Sequence, residues 1–371
     1  MSHHNNLNIL RLIFALFVII SHTYPISGTP GADWLATASG GQIMFSSLGV
    51  DGFFIISGFL IFNSFKYRES NIDYIWKRCI RIFPGLAIVL LITVLIGCFF
   101  SSSTFYEYFW LTGSVKTYIL NNLSLYNLQP SMSDVFATNK LPGTINGSLW
   151  TLIYEFTLYF LLMLSGVGRY LPKKLGQLLT AIIVIVCAYM TMNYRETLIT
   201  EEFFWGLNLY YVIYFSSLYF YGSLLASFKF NESKQLSLYC ILSGLGLLLA
   251  IILDQYLLMA HLLLPVFIIS LSYAYVPKIS IAYYRIGDLS YGVYIYGFLV
   301  QQTLMYFYDF SLLMLMLFSC IISLVCGYLS WTLIESRAMR YKAVFSKFKS
   351  QTRSHVLENL QSERVEVNQS V

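Results

Sequence analysis

The chain has 371 residues, of which 57% are apolar and 11% charged, with a net charge of +5. A soluble domain carries about 25% charged residues, so this composition excludes an ordinary water-soluble fold. Aromatic residues reach 18%, and Tyr and Trp favour the two membrane interfaces.

A membrane span needs about 20 mostly apolar residues. Ten segments qualify, roughly 7–24, 43–64, 80–100, 149–166, 176–193, 205–226, 236–253, 256–276, 289–308 and 312–334. The expected fold is all-α: a polytopic membrane helical bundle of about ten transmembrane helices over residues 1–336, followed by a charged cytoplasmic tail over 337–371. The first span is the weakest, because Arg11 and His22 interrupt it. No small-residue cleavage motif follows it, so it is expected to be a retained helix and not a signal peptide. The links are short except 101–148, which is rich in Ser, Asn and Thr, holds Tyr106, Trp110 and Tyr126, and is too long for a simple turn. Cysteines at 79, 98, 187, 240, 320 and 326 form no CxxC pair. Neither a disulfide framework nor a metal site is expected.

Basic charge alternates between consecutive loops. With the N-terminus inside, the even loops and the tail carry 19 of the 23 basic residues, and the outer loops only Lys116, Lys140 and Arg195. The positive-inside rule then puts both termini in the cytoplasm, as an even number of spans requires.

Ionisable side chains inside spans cost roughly 2.5–3.5 kcal/mol at the helix centre, so each is a functional candidate. Arg11 and His22 lie eleven residues apart. At 100° per residue they share one helix face, separated by about 16 Å. Arg11 snorkelling to lipid phosphates and His22 bonding to interfacial water are the bland alternatives. Asp51 near the start of the second span and Glu155 about two turns into the fourth are expected near His22 in the outer half of the bundle. Glu155 has the stronger claim to support the imidazole, because it is deeper and harder to leave unpaired, whereas Asp51 suits a helix N-cap better than a catalytic role. Lys77, Arg78 and Arg81 precede or open the third span, either as a phosphate site or as a positive-inside anchor. His261 reads as packed and hydrogen-bonded. Trp34, Trp110 and Trp150 suit either sugar stacking or the membrane belt.

These residues carry a resemblance. Arg11-x10-His22, Gly49-Val50-Asp51-Gly52-Phe53-Phe54-Ile55-Ile56-Ser57-Gly58-Phe59-Leu60, Lys77-Arg78-x-x-Arg81, Ser148-Leu149-Trp150 with Glu155 and Tyr159, and Leu289-Ser290-Tyr291-Gly292-Val293-Tyr294-Ile295-Tyr296 occur in that order. Together, over about residues 7–340, they resemble the acyltransferase-3 family of integral-membrane acyltransferases, which includes bacterial O-antigen and exopolysaccharide O-acetyltransferases. One departure is Gly297, where many members place a His. The extra hydrolase-like domain fused to some relatives is not expected here. The resemblance implies a multi-pass enzyme of the cell inner membrane that moves an acyl group, usually acetyl, from acyl-CoA to a glycan hydroxyl. Acetyl-CoA is then a co-substrate and no cofactor is permanently bound. The lipid bilayer and a glycan acceptor are the other expected partners, with no nucleic acid. His22 is implied as general base, with Glu155 and Arg11 as the other catalytic candidates. Lys77, Arg78 and Arg81 are implied for the donor, and Asp51, Ser148 and Trp150 for the acceptor. The rival readings are a transporter or glycan flippase and a lipid-linked glycan polymerase.

Overall fold

Among the described residues the chain folds into ten long helices that follow the ten apolar segments. They are α1 (Leu7–Ile26), α2 (Phe45–Lys66), α3 (Asn71–Gly97), α4 (Trp150–Ser165), α5 (Lys173–Asn193), α6 (Leu209–Ser227), α7 (Leu236–Ile252), α8 (Tyr256–Ala274), α9 (Ser290–Phe307) and α10 (Leu312–Ser330). This is a computed structural model, and it describes residues 5–344 other than 112 and 205. Among the described residues, eight helical stretches are long and apolar enough to cross a membrane; α7 is apolar but shorter, and α9 lies outside that set. The reason for α9 is its position. Every residue from Ser290 to Leu299 is buried, and so are Gln301 and Gln302. A helix surrounded by protein needs no apolar coat, and its polar groups find partners inside the bundle.

The lipid-facing role falls to α5, α7 and α10. Leu238, Ile241, Leu245 and Leu248 on α7, and Leu313, Leu317 and Val325 on α10, are exposed. Such stripes would be costly in water and are stable in hydrocarbon. Inside, α2 and α6 approach backbone to backbone through two small residues. A Cβ at Gly58 would sit 1.9 Å from the Tyr219 carbonyl oxygen, and one at Gly222 would sit 2.2 Å from that of Ile55. Ser223 adds a hydrogen bond from its Oγ to Gly58 O at 3.0 Å. Close packing of this kind replaces the hydrophobic drive that lipid does not supply.

Two helix starts differ from the hydropathy reading. α3 begins at Asn71, well before residue 80, because Ser70 caps it and accepts from Asp73 N–H at 3.0 Å. Lys77, Arg78 and Arg81 therefore lie within the helix and not at its entrance. α6 begins at Leu209, because Glu202–Phe204 and Leu207–Asn208 form a short antiparallel hairpin.

At the end of the bundle away from the basic loops, residues 101–148 form an ordered cap with a helix at Ser114–Ser124. It is pinned to α9. Gln302 Nε2 donates to Leu141 O at 2.8 Å and Thr144 O at 2.6 Å, Asn139 Nδ2 donates to Gln302 O at 2.9 Å, and Asn146 Nδ2 donates to Ile295 O at 2.7 Å. Beyond α10, a π turn at Trp331–Glu335 leads into short turns through Ala343. Residues 345–371 of the expected tail lie outside the described residues.

Candidate active site

A cavity of about 310 Å³ sits in the basic half of the bundle, between α1, α2, α3, α4 and α9. Its spacing on α2 is helical: Val50, Phe53, Phe54, Ser57, Leu60, Ile61 and Ser64 all line it. Arg78 and Arg81, one turn apart on α3, enter from the basic end together with Lys77. α4 supplies Thr151, Leu152, Glu155 and Tyr159 by the same periodicity.

The cations of this wall are not equivalent. Arg11 pairs with Asp288, just before α9. Arg81 pairs with the same carboxylate at 2.6 Å and with Glu335 at 3.3 Å. Lys77 is held by Asp73 at 2.7 Å, one turn earlier on its own helix. Arg78 differs. Its guanidinium lies 5.8 Å from the centre of the Tyr74 ring and 5.7 Å from that of Tyr159, and donates to Ser64 Oγ at 3.2 Å. Among the described residues it has no carboxylate within ion-pair distance. Sequence reasoning missed the two carboxylates that neutralise Arg11 and Arg81. Asp288 and Glu335 are acidic residues beside the ninth and tenth spans on a predominantly basic end, and their sign was the available signal.

Toward the far end an aromatic layer lines the cavity. Phe53 packs edge-on against Tyr294 at 5.7 Å, and Tyr294 shares a hydrogen bond with Thr151 at 2.6 Å. His22 lies beyond this layer. Its ring is edge-on to Phe298 at 5.2 Å, one turn above Tyr294, and its buried Nδ1 has no hydrogen-bond partner among the described residues. Arg11 and His22 thus both face the α9 side, as their spacing predicts, but of the two only Arg11 lines the cavity.

The expected grouping of carboxylates around His22 is corrected on two counts. Glu155 accepts from Ser57 Oγ at 3.3 Å and from the Tyr159 hydroxyl, not from His22. Depth explains this. Phe298, the neighbour of His22, also fills the space beside Gly147. Glu155 lies eight residues further along, roughly 12 Å at 1.5 Å per residue. Asp51 accepts from the Tyr214 hydroxyl at 2.8 Å and is 2% exposed, so it turns toward α6 and away from α1. It is not a helix cap either, since α2 begins at Phe45. The N-terminal contact there comes from Asp33, whose Oδ2 accepts from Phe45 N–H at 2.9 Å.

The remaining candidates also separate. Ser148 is buried in the short turn before α4, near the depth of His22. Trp150 packs against Tyr211 at 4.8 Å and Tyr154 at 5.6 Å, on the α6 side. His261 Nδ1 meets Ser217 Oγ at 2.8 Å in the α6–α8 interface, in keeping with a packed residue. Gly297 faces Ile19, whose Cγ1 would lie 2.7 Å from an added Cβ. α1 therefore occupies the space that a side chain at 297 would need.

A profile of the acyltransferase domain (acyltransferase-3) matches residues 4–332. The chain is 28% identical over 337 residues to a protein named O-acetyl transferase from Shigella phage Sf6, covering 88% of this chain and 93% of that protein. It is 27% identical over 383 residues to nodulation protein 10 of Rhizobium leguminosarum bv. viciae, covering 92% and 94%. No solved structure matches.

Proposed function

Given that the chain belongs to the acyltransferase-3 family of acyltransferases, we propose that it moves an acetyl group from cytoplasmic acetyl-CoA to a hydroxyl of a cell-surface glycan or its lipid-linked precursor, from within a bacterial inner membrane. The ten long helices are then ten spans, with the basic end in the cytoplasm. The name of the phage relative supports an oxygen acceptor and an acetyl group. The observation that carries the reading is the cavity itself, which runs from the basic end toward His22 and presents Arg78 with no carboxylate partner among the described residues. A phosphorylated donor head meets cations there, and a thin thioester arm extends between α2 and α4.

The chemistry follows from the position of His22. The acceptor hydroxyl arrives from the far end, and the imidazole takes its proton as the oxygen attacks the thioester carbonyl. The carbon–sulfur bond breaks, and the CoA thiolate leaves and recovers the proton from the imidazolium. General-base assistance contributes roughly 10²–10⁴-fold. The unpartnered Nδ1 leaves a ring nitrogen available for a substrate contact. The arm must pass Phe53 and Tyr294 to reach this point. In this reading Glu155 serves the donor: with Ser57 and Tyr159 it forms a polar patch halfway along the cavity, suited to the amide N–H groups of a pantetheine arm. Isolated membranes carrying the protein are expected to consume acetyl-CoA when given acceptor glycan, and membranes carrying His22→Ala are not. Equal consumption by both would remove His22 from the reaction, and none by either would favour a transporter or flippase.

A further inference from the structure

Past α10 the chain does not leave the bundle. The π turn at Trp331–Glu335 and the turns at Ser336–Ala338 and Met339–Ala343 bring it back beneath the cavity. The segment is fastened at both ends. Glu335, 2% exposed, accepts from Ser330 Oγ at 2.8 Å and pairs with Arg81. Trp76 Nε1 donates to Tyr341 O at 3.0 Å, beside the next residue, Lys342. Trp331, Met339 and Lys342 thereby join Lys77 and Arg78 in lining the cavity.

Lys342 adds a fifth cation to that wall. Arg11, Arg81 and Lys77 are neutralised by Asp288, Glu335 and Asp73. Among the described residues, Arg78 and Lys342 are the lining cations with no carboxylate within ion-pair distance. The Arg78 Nε is also buried and without a hydrogen-bond partner among those residues. Two uncompensated cations facing one cavity repel each other until an anion lies between them, whereas a phosphate satisfies both. The planar guanidinium suits two-point contact with phosphate oxygens, and the ammonium acts as a mobile point charge. The family match ends at residue 332, so Lys342 lies outside the part of the chain that carries the family pattern.

We propose that Arg78 and Lys342 together form the phosphate subsite of the cavity, with Lys342 supplied by the returning C-terminal segment. This rests on the donor reading above and names the residues that would hold the phosphates of CoA. Calorimetric titration of the purified chain in a neutral detergent tests it, with CoA, pantetheine and inorganic pyrophosphate as probes. Lys342→Ala should weaken CoA by about tenfold or more and leave pantetheine, which carries no phosphate, unchanged. Lys342→Arg should keep most of the CoA affinity. CoA affinity unchanged in Lys342→Ala overturns the subsite, and so does an equal loss for CoA and pantetheine, which would mark a structural role. If the wild-type chain binds pyrophosphate in a Lys342-dependent way but not CoA, the subsite stands and the donor reading falls. If it binds neither, both fall.

Discussion

Asp288→Asn perturbs the hub at the basic end of the bundle. Asp288 pairs with both Arg11 and Arg81, and accepts from Ser290 N–H at 3.2 Å and Ser290 Oγ at 2.5 Å. Asn keeps the shape and can still accept from Ser290, but it removes the charge. Arg11 is left without a carboxylate, and Arg81 keeps only Glu335. Removing one partner of a buried pair costs about 3–5 kcal/mol, because the other charge is left uncompensated. The Arg11 side chain is 20% exposed, so water recovers part of that cost and the lower end, about 3 kcal/mol, is expected. Unfolding of the purified variant by titration with a denaturing detergent in mixed micelles measures it. Adding Arg11→Gln to Asp288→Asn removes the stranded cation and should recover about 1 kcal/mol or more, seen as non-additivity. A loss below about 1 kcal/mol, or strictly additive variants, would refute the hub.

Three further outcomes are expected. Glu155→Gln should lower kcat/KM for the donor by about tenfold, roughly the worth of a hydrogen bond to a charged group, chiefly through KM; a pure kcat effect would return Glu155 to the chemical step. Gly58→Val forces α2 away from the Tyr219 carbonyl and should cost at least about 2 kcal/mol as overpacking, read from thermal unfolding in detergent; a neutral result would contradict the close approach. In the 101–148 cap, burial opposes ionisation of Asp134, but the hydroxyls of Ser101 and Ser102 and the Ser102 N–H hold its carboxyl down to about 2. The folded value lies below the unfolded reference of about 3.9, so this contribution is present above about pH 4 and lost as the pH falls toward 2. Proteolysis of the 101–148 segment by an acid-active protease should rise over that window in the wild type and change less in Asp134→Asn.

Local properties of the sequence were legible, and properties of distant pairs were not. Apolar run length located the ten long helices among the described residues, because each backbone must satisfy itself in hydrocarbon. It misjudged the start of α3, where a polar turn capped by Ser70 precedes the apolar run. Helical spacing correctly put Arg11 and His22 on one side of α1. It could not reveal that Arg11 and Arg81 meet Asp288, 277 and 207 positions away. Depth counted from a helix start failed for Glu155, because the short turn at Gly147–Leu149 already lies near the depth of His22. Asp51 faces α6 for a reason no local pattern contains: its partner Tyr214 is on another helix. The charged end of the chain read as a tail, yet Lys342 lines the cavity.

The central claim is transfer through the bilayer from a donor at the basic end to an acceptor at the far end, with His22 between. Sealed inverted membrane vesicles, with acceptor glycan enclosed and labelled acetyl-CoA added outside, test it directly. Label should appear on the enclosed glycan with the wild-type protein and be absent with His22→Ala. Transfer only when donor and acceptor share one compartment, or undiminished transfer by the variant, would contradict it.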